Sequence, residues 1–212
     1  MPSRAAHGTR SAHRRSAPVT TSKPSAAAAL ERADVRLGRR LAQGRDRPLV
    51  RAAAKVGKLG DQEPLYALAA GLSLVGLIAR RPAMVRLGLH MGLAVFAADL
   101  AKSGLKRLVR RSRPRVLLDK GRYEAGLGAS QDKDLQSFPS GHVAGAVAAT
   151  AALCRLYPRS APVGVAACAF LGWSRMSKGA HWPLDVAAGA AAGLSAEAAS
   201  TGLLRLAERA PR

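Results

Sequence analysis

Three short stretches decide how this chain folds and what chemistry it can carry: KRLVRRSRP at residues 106–114, PSGH at 139–142 and SRMSKGAHWPLD at 174–185. Together they contain cations that can bind a phosphate, two imidazoles and a carboxylate, which form a complete set for covalent phosphoryl transfer. The candidate catalytic residues are His142, His181 and Asp185, and the candidate phosphate-binding residues are Lys106, Arg113, Ser140, Gly141 and Arg175. The sequence therefore predicts an enzyme.

His181 is the predicted nucleophile, and Asp185 is the residue predicted to orient it. The two are four residues apart. If the segment is helical from about Trp182, the carboxylate can accept a hydrogen bond from one imidazole nitrogen and leave the other free to attack phosphorus. A lone histidine beside an apolar helix is more often a core residue, but the nearby Asp185 and Arg175 favour the catalytic interpretation.

His142 opens an apolar stretch and is the candidate general acid that protonates the leaving alkoxide. Ser140 is a candidate N-cap, and Gly141 permits close approach of the backbone, so the N–H groups of this first turn can bind phosphate oxygens. Taken alone, PSGH would more simply be a helix cap with a surface histidine. The other two stretches favour the catalytic role.

The three cations of the set, Lys106, Arg113 and Arg175, are predicted to surround the phosphate oxygens in the transition state. Pro114 is predicted to end the preceding helix and to turn the chain away. No metal is predicted, because the motif regions offer only Asp185 as a carboxylate ligand, and no cofactor is predicted either.

The three stretches resemble the tripartite signature K-x6-RP, PSGH and SR-x5-H-x3-D of the type 2 phosphatidic acid phosphatase superfamily, and every signature position is matched. The resemblance covers about residues 64–205. It implies a helical bundle, a metal-independent phosphatase activity and a phosphohistidine intermediate. It also implies that the eight candidate residues keep the roles given above.

The charge of the chain indicates a membrane surface as its partner. The formal net charge is +21, from 34 Lys and Arg against 13 Asp and Glu, and 14 of these cations precede residue 60. A nucleic-acid partner is not predicted, because the chain has only eight aromatic residues and they do not alternate with the basic positions. Cys154 and Cys168 both lie in apolar stretches, where a free cysteine acts as a small hydrophobic residue.

The chain is predicted to have three parts. Residues 1–24 are predicted to be a disordered basic tail. Residues 25–58 carry Ala, Leu and Val at helical spacing with arginines between them, which predicts one or two amphipathic helices broken near residues 44–48. These helices would lie either in a lipid headgroup layer or against their own domain. Residues 59–212 are predicted to form the phosphatase domain.

Five apolar stretches predict an all-α, membrane-embedded bundle of about five spanning helices. They are residues 64–79, 87–98, 143–154, 162–173 and 186–204. Each is at or below the roughly 20 residues that cross a bilayer core, so a soluble helical bundle is the alternative. The connection at residues 115–138 has no apolar period and is predicted to be a long functional loop.

These observations predict an integral membrane phosphatase that hydrolyses a lipid phosphate or diphosphate, such as phosphatidate, phosphatidylglycerol phosphate or a polyprenyl-linked phosphate. The alternatives are a soluble-type acid phosphatase or vanadate haloperoxidase, and a basic membrane-binding protein without activity. With five spans, 26 Lys and Arg lie on the active-site face and eight on the other, which favours the cytoplasmic face of a bacterial inner membrane. The sequence gives no oligomeric state.

Overall fold

The computed structural model describes residues 25–209, and the predicted tail at residues 1–24 lies outside this range. Eight α-helices are found in the described part of the chain. They are α1 (Ala26–Ala42), α2 (Pro48–Val56), α3 (Gln62–Ile78), α4 (Pro82–Leu108), α5 (Pro114–Lys120), α6 (Gly141–Leu156), α7 (Ala161–Ser177) and α8 (Pro183–Arg209). Two short strands, β1 (Val109–Arg111) and β2 (Ala125–Leu127), pair in antiparallel fashion. The predicted all-α class is correct.

Small residues allow the helices of the bundle to pack closely. Helices α3, α4, α6 and α8 pack on one another, and α7 packs beside α6. Ala94, Ala144 and Ala148 are fully buried between them. Gly88 is required in α4 because a Cβ atom there would lie 2.5 Å from the carbonyl oxygen of Ala69 in α3. Close contact between small residues is the usual means by which helices associate inside a membrane.

The five predicted apolar helices are all present, as α3, α4, α6, α7 and α8. Among the described residues, Pro82–Leu108 is the one helix with both the length and the apolar composition of a membrane span. Gln62–Ile78 and Gly141–Leu156 are apolar but shorter. Large apolar side chains are exposed on the outside of the bundle, among them Leu74, Leu77, Ile78, Leu89, Val163 and Val165. The number of spans therefore stays a prediction.

The connection between α4 and α6 is more regular than the sequence predicted. Residues 115–138, predicted to be a loop, contain most of α5, β2 and a 3-10 turn, and β1 lies just before them. Helix α4 already ends at Leu108, and Pro114 starts α5 instead of ending a helix. The chain is extended at Val109, and a proline has the backbone angle that suits the first position of a helix.

Helices α1 and α2 pack on the end of the bundle that carries the three motifs. Gly38 of α1 lies so close to Trp182 that a Cβ atom would overlap the indole ring. In α2, the carbonyl oxygen of Ala54 accepts a hydrogen bond from Nη2 of Arg175 at 3.1 Å. The outer side of α1 exposes Leu30 and Leu37 beside several arginines. The segment thus contacts its own domain through one face, and its other face exposes both leucine and arginine side chains.

Candidate active site

The three motifs meet in one cavity at an end of the bundle. The last turn of α4 supplies Lys106, the first turn of α6 supplies His142, and the link between α7 and α8 supplies His181. The cavity measures about 230 Å³ and is lined by Gly60, Asp61, Gln62, Glu63, Lys102, Lys106, Arg113, Gly141, His142 and His181. Five of the eight predicted residues line it. The other three, Ser140, Arg175 and Asp185, lie directly behind its wall.

His181 is buried and held in one tautomer. Its Nδ1 lies 2.6 Å from the main-chain oxygen of Ser137, and because a carbonyl only accepts, Nδ1 carries the proton. The other ring nitrogen, Nε2, therefore keeps a lone pair, as a nucleophile requires. Burial, reinforced by the nearby guanidinium of Arg113, holds the pKa of His181 well below its ordinary value, so the ring is neutral at pH 7.

The contact predicted between Asp185 and His181 has a different form. Oδ2 of Asp185 lies 4.0 Å from Nδ1 of His181, too far for a hydrogen bond. Instead, Oδ2 accepts from the main-chain N–H of Trp182 at 2.8 Å, and Oδ1 accepts from Nη1 of Arg111 at 2.8 Å. Asp185 thus caps the start of its own helix, as an acidic residue in a capping box does. It fixes the chain next to His181, while Ser137 fixes the ring.

His142 contacts two groups of opposite character. Its Nε2 lies against the carboxylate of Asp61 and 3.1 Å from Nη1 of Arg175. A carboxylate only accepts and a guanidinium only donates, so the protonation state of Nε2 decides which contact is a hydrogen bond. When protonated, Nε2 donates to Asp61, and when neutral it accepts from Arg175. His142 therefore exchanges one contact for the other as it gains or loses a proton.

Asp61 was missed by the sequence analysis. It is the N-terminal flanking residue of α3 and lies in the sequence DQEP, directly before the apolar stretch that was interpreted as a span. An acidic residue at such a position usually only stabilises the helix terminus, and nothing local indicates a contact with a histidine 81 positions later.

The phosphate-binding candidates supply donors that the protein leaves unused. Oγ of Ser140 and Nε of Arg175 are buried and have no hydrogen-bond partner in the described structure. Ser140 is the N-cap residue of α6 as predicted, but its side chain makes no capping bond. Burial lowers the pKa of Arg113, although Nε of that guanidinium still donates to the carbonyl oxygen of Lys133 at 2.9 Å. Unpartnered buried donors are rare, and a phosphate oxygen would satisfy them.

Comparison with known families agrees with this geometry. The sequence profile of the PAP2 superfamily matches residues 87–206, which is more than half of the chain. The chain belongs to the PAP2 superfamily. The matched segment contains all eight candidate residues, whereas α1, α2 and α3 precede it.

Two curated relatives of this PAP2 chain are lipid A 1-phosphatases. That of Rhizobium johnstonii is 36% identical over 107 residues, which are 50% of this chain and 43% of the relative. That of Rhizobium etli is also 36% identical over 107 residues, covering 50% of this chain and 46% of the relative. The chain thus matches less than half the length of either relative.

Two solved structures share the PAP2 fold. A transmembrane PAP2-type phosphatidylglycerolphosphate phosphatase from Bacillus subtilis has a TM-score of 0.60 and 22% identity, over 86% of this chain and 90% of that one. LpxE of Aquifex aeolicus has a TM-score of 0.52 and 21% identity, over 79% of this chain and 94% of that one. At these identities the likeness concerns the fold, which is that of membrane PAP2 proteins.

Proposed function

We propose that this PAP2 protein is a metal-independent phosphatase that hydrolyses a lipid phosphate or diphosphate through a phosphohistidine on His181. One observation carries the proposal: the neutral ring of His181, protonated on Nδ1, lines the same cavity as His142, Lys106 and Arg113. A nucleophile, a proton carrier and the cations for a phosphate therefore face one space.

The geometry supports a reaction in two steps. In the first, Nε2 of His181 attacks phosphorus, the N–P bond forms, and the bond from phosphorus to the ester oxygen breaks. His142 gives its proton to the departing oxygen. In the second, water attacks the phosphohistidine while the now neutral His142 takes a proton from it. Inorganic phosphate leaves and His181 returns to its starting form.

The cations provide electrostatic stabilisation in both steps. Lys106 and Arg113 line the cavity, and Arg175 lies behind His142 with one buried N–H unpartnered. Fixed cationic donors in a site that excludes water stabilise the charge that develops on phosphate oxygens. In the described residues, no group of three or more His, Cys, Asp or Glu side chains is placed to hold a metal ion. The proposed reaction uses only groups of the chain.

A lipid substrate is supported by the surroundings of the cavity. The bundle exposes large apolar side chains, and the cavity lies at its end, where a lipid headgroup would meet the protein. The two curated relatives carry the name lipid A 1-phosphatase. We therefore extend the candidate substrates, phosphatidate, phosphatidylglycerol phosphate and polyprenyl-linked phosphates, to lipid A.

We further propose that the bundle lies in a bacterial inner membrane with the cavity on the cytoplasmic side. The support is the charge distribution, because the arginines of α1 and α2 lie at the cavity end, while Arg80, Arg81 and Arg86 lie at the opposite end of α4. Labelling in intact cells of a cysteine placed at Arg39 or at Arg81, in a variant without Cys154 and Cys168, tests the orientation. If an impermeant reagent labelled the cysteine at position 39 but not the one at position 81, the cavity would face the outside of the cell and the proposed orientation would be wrong.

The decisive experiment measures phosphate release by detergent-purified protein with EDTA present. The substrates are lipid A, phosphatidate, phosphatidylglycerol phosphate, a prenyl diphosphate and a water-soluble aryl phosphate, each also offered to His181→Ala. Lipid-selective release that disappears in the variant is expected. Equal or better turnover of the soluble ester would favour a soluble-type enzyme, and release that requires added Mg²⁺ would contradict the metal-free mechanism.

A further inference from the structure

Helix α1 supplies a buried carboxylate to the back of the active site. Asp34 is only 5% exposed, although it lies in a helix with many exposed arginines. Its Oδ2 accepts from Nη2 of Arg111 at 2.6 Å, and its Oδ1 accepts from the main-chain N–H of Leu184 at 2.8 Å. One oxygen thus binds a buried guanidinium, and the other binds the first turn of α8.

Arg111 connects this carboxylate to Asp185. Its Nη2 binds Asp34, its Nη1 binds Asp185 at 2.8 Å, and its Nε donates to the hydroxyl of Tyr123 at 3.0 Å. The guanidinium carbon also lies 5.5 Å from the centre of the Trp182 ring. Burial by itself would lower the pKa of Arg111, but the carboxylates of Asp185 and Asp34 outweigh it and raise that pKa. The charge is therefore permanent, and the guanidinium plane is fixed on several sides.

The chain of contacts reaches the nucleophile through the backbone. Asp185 accepts from the N–H of Trp182, the residue that follows His181. The indole Nε1 of Trp182 donates to the carbonyl oxygen of Ser112 at 2.6 Å. Gly38, one turn after Asp34 in α1, packs against the same indole ring. Helix α1 thus contacts the residues that directly follow His181, both at the Trp182 ring and at the first turn of α8.

We propose that Asp34 is a positioning residue for His181, acting through Arg111 and Asp185, so that α1 is part of the catalytic unit although it lies outside the matched PAP2 segment. This inference rests on the proposed role of His181 as the nucleophile. The carboxylate orients one face of Arg111, which then orients Asp185 and the turn that carries the imidazole. A displacement of about 1 Å at such a position is enough to slow a reaction roughly 100-fold.

The chain offers a matched control for this proposal in the same helix. Glu31 also contacts Nη2 of Arg111, at 3.0 Å, but its side chain is 39% exposed against 2% for Asp34. Asp34→Asn removes the buried charge at constant size, and Glu31→Gln makes the same chemical change at the exposed partner. A general effect of lost charge on α1 would appear in both variants, whereas positioning through the buried bond would appear in Asp34→Asn alone.

The test measures kcat and KM with a soluble aryl phosphate for the full-length protein. We expect kcat of Asp34→Asn to fall roughly 10- to 100-fold with KM changed less than about threefold, and Glu31→Gln to stay within about twofold of the wild type. Equal effects of the two substitutions would overturn the proposal. Asp34→Glu keeps the charge but displaces both carboxylate oxygens, so it replaces Asp34→Asn if that variant is not monodisperse. A kcat of Asp34→Glu equal to that of the wild type would also overturn the proposal.

A double-mutant cycle separates positioning from a general loss of structure. If Asp34 acts through Asp185, the double variant Asp34→Asn, Asp185→Asn should lose no more activity than Asp185→Asn alone. Additive losses would show that Asp34 acts elsewhere.

A nitrogen NMR spectrum of the histidine rings tests the geometry without turnover. The ring signal that vanishes in His181→Ala should shift in Asp34→Asn and stay unchanged in Glu31→Gln. An unshifted signal overturns the positioning role, whereas activity that survives His181→Ala overturns the proposed function, so the two failures are distinguishable.

Discussion

Nδ1 of His181 lies 2.6 Å from the main-chain oxygen of Ser137, so a peptide group, and not a side chain, fixes the tautomer of the proposed nucleophile. A carbonyl does not titrate in the working range of an enzyme. The tautomer of the ring is therefore fixed without a hydrogen bond to a neighbouring carboxylate, unlike that of the histidine in a Ser-His-Asp triad. Its readiness to attack depends instead on burial, which keeps the imidazole neutral.

The first prediction concerns pH. Because burial and Arg113 hold the pKa of His181 well below its ordinary value near 6.5, the neutral ring persists as the pH falls through that value. The rate of phosphoenzyme formation at saturating substrate should therefore not fall between pH 7.5 and pH 6, and should decline only at lower pH. Single-turnover trapping across this range measures it, and a loss centred near 6.5 would show an unperturbed histidine.

The second prediction concerns the leaving group. His142→Ala removes the proposed acid, so hydrolysis of an alkyl phosphate, whose alkoxide needs a proton, should slow by about 10²- to 10⁴-fold. Hydrolysis of an aryl phosphate with a good leaving group should slow much less. Steady-state rates on a matched alkyl and aryl pair measure the difference. An equal loss on both esters would mean that His142 binds phosphate and does not transfer a proton.

The third prediction concerns the contact between α8 and α6. A Cβ atom at Gly189 would lie 2.5 Å from the carbonyl oxygen of Ser140, so Gly189→Ala must push the PSGH turn away from α8. We expect at least a tenfold loss of kcat. Gly202→Ala, in the same helix, meets nothing within 4 Å and is the control. It should keep full activity and gain about 0.5–1 kcal/mol of helix stability. Similar kcat values for the two would contradict the predicted displacement.

The fourth prediction concerns a polar cluster far from the cavity. Glu197 is buried in α8 and accepts hydrogen bonds from Arg155 and, at 2.7 Å, from Thr201. Glu197→Ala removes the buried acceptor that these donors share, at a cost of about 1–3 kcal/mol. The thermal unfolding midpoint in detergent should fall, while kcat at low temperature should stay within about twofold. Glu208→Ala, at an exposed position of α8, is the control. An unchanged unfolding midpoint in Glu197→Ala would show that the cluster does not contribute to the stability of the bundle.

The sequence predicted the cavity from its motifs but not the groups that support it. Lys106, His142 and His181 lie together as their signature implied, because each stands at an end of an apolar helix. Asp34 could not be predicted, since its partner Arg111 is 77 positions away and its own surroundings match those of a surface helix. Contacts between residues so far apart in the sequence depend on how the helices pack, and the local periodicity of the sequence does not predict that packing.

The predicted hydrogen bond between Asp185 and His181 is absent for a local reason. Spacing of four residues brings side chains together only within a helix, and α8 begins at Pro183, after the histidine. The carboxylate then caps its own helix, and the peptide of Ser137 binds the ring in its place. The strand pair of β1 and β2 escaped prediction similarly, since each strand has three residues and is defined only by its partner.

The unequal lengths of the helices bear on how a phosphate would reach the cavity. Helices α3 and α7 have 17 residues and α6 has 16, so each rises about 25 Å, against a hydrocarbon core of about 30 Å. With these helices spanning the membrane in the proposed orientation, such a hydrophobic mismatch would thin the bilayer beside them. In that arrangement the membrane surface would lie closer to His142 and His181, and a headgroup would reach the proposed nucleophile without its lipid leaving the leaflet.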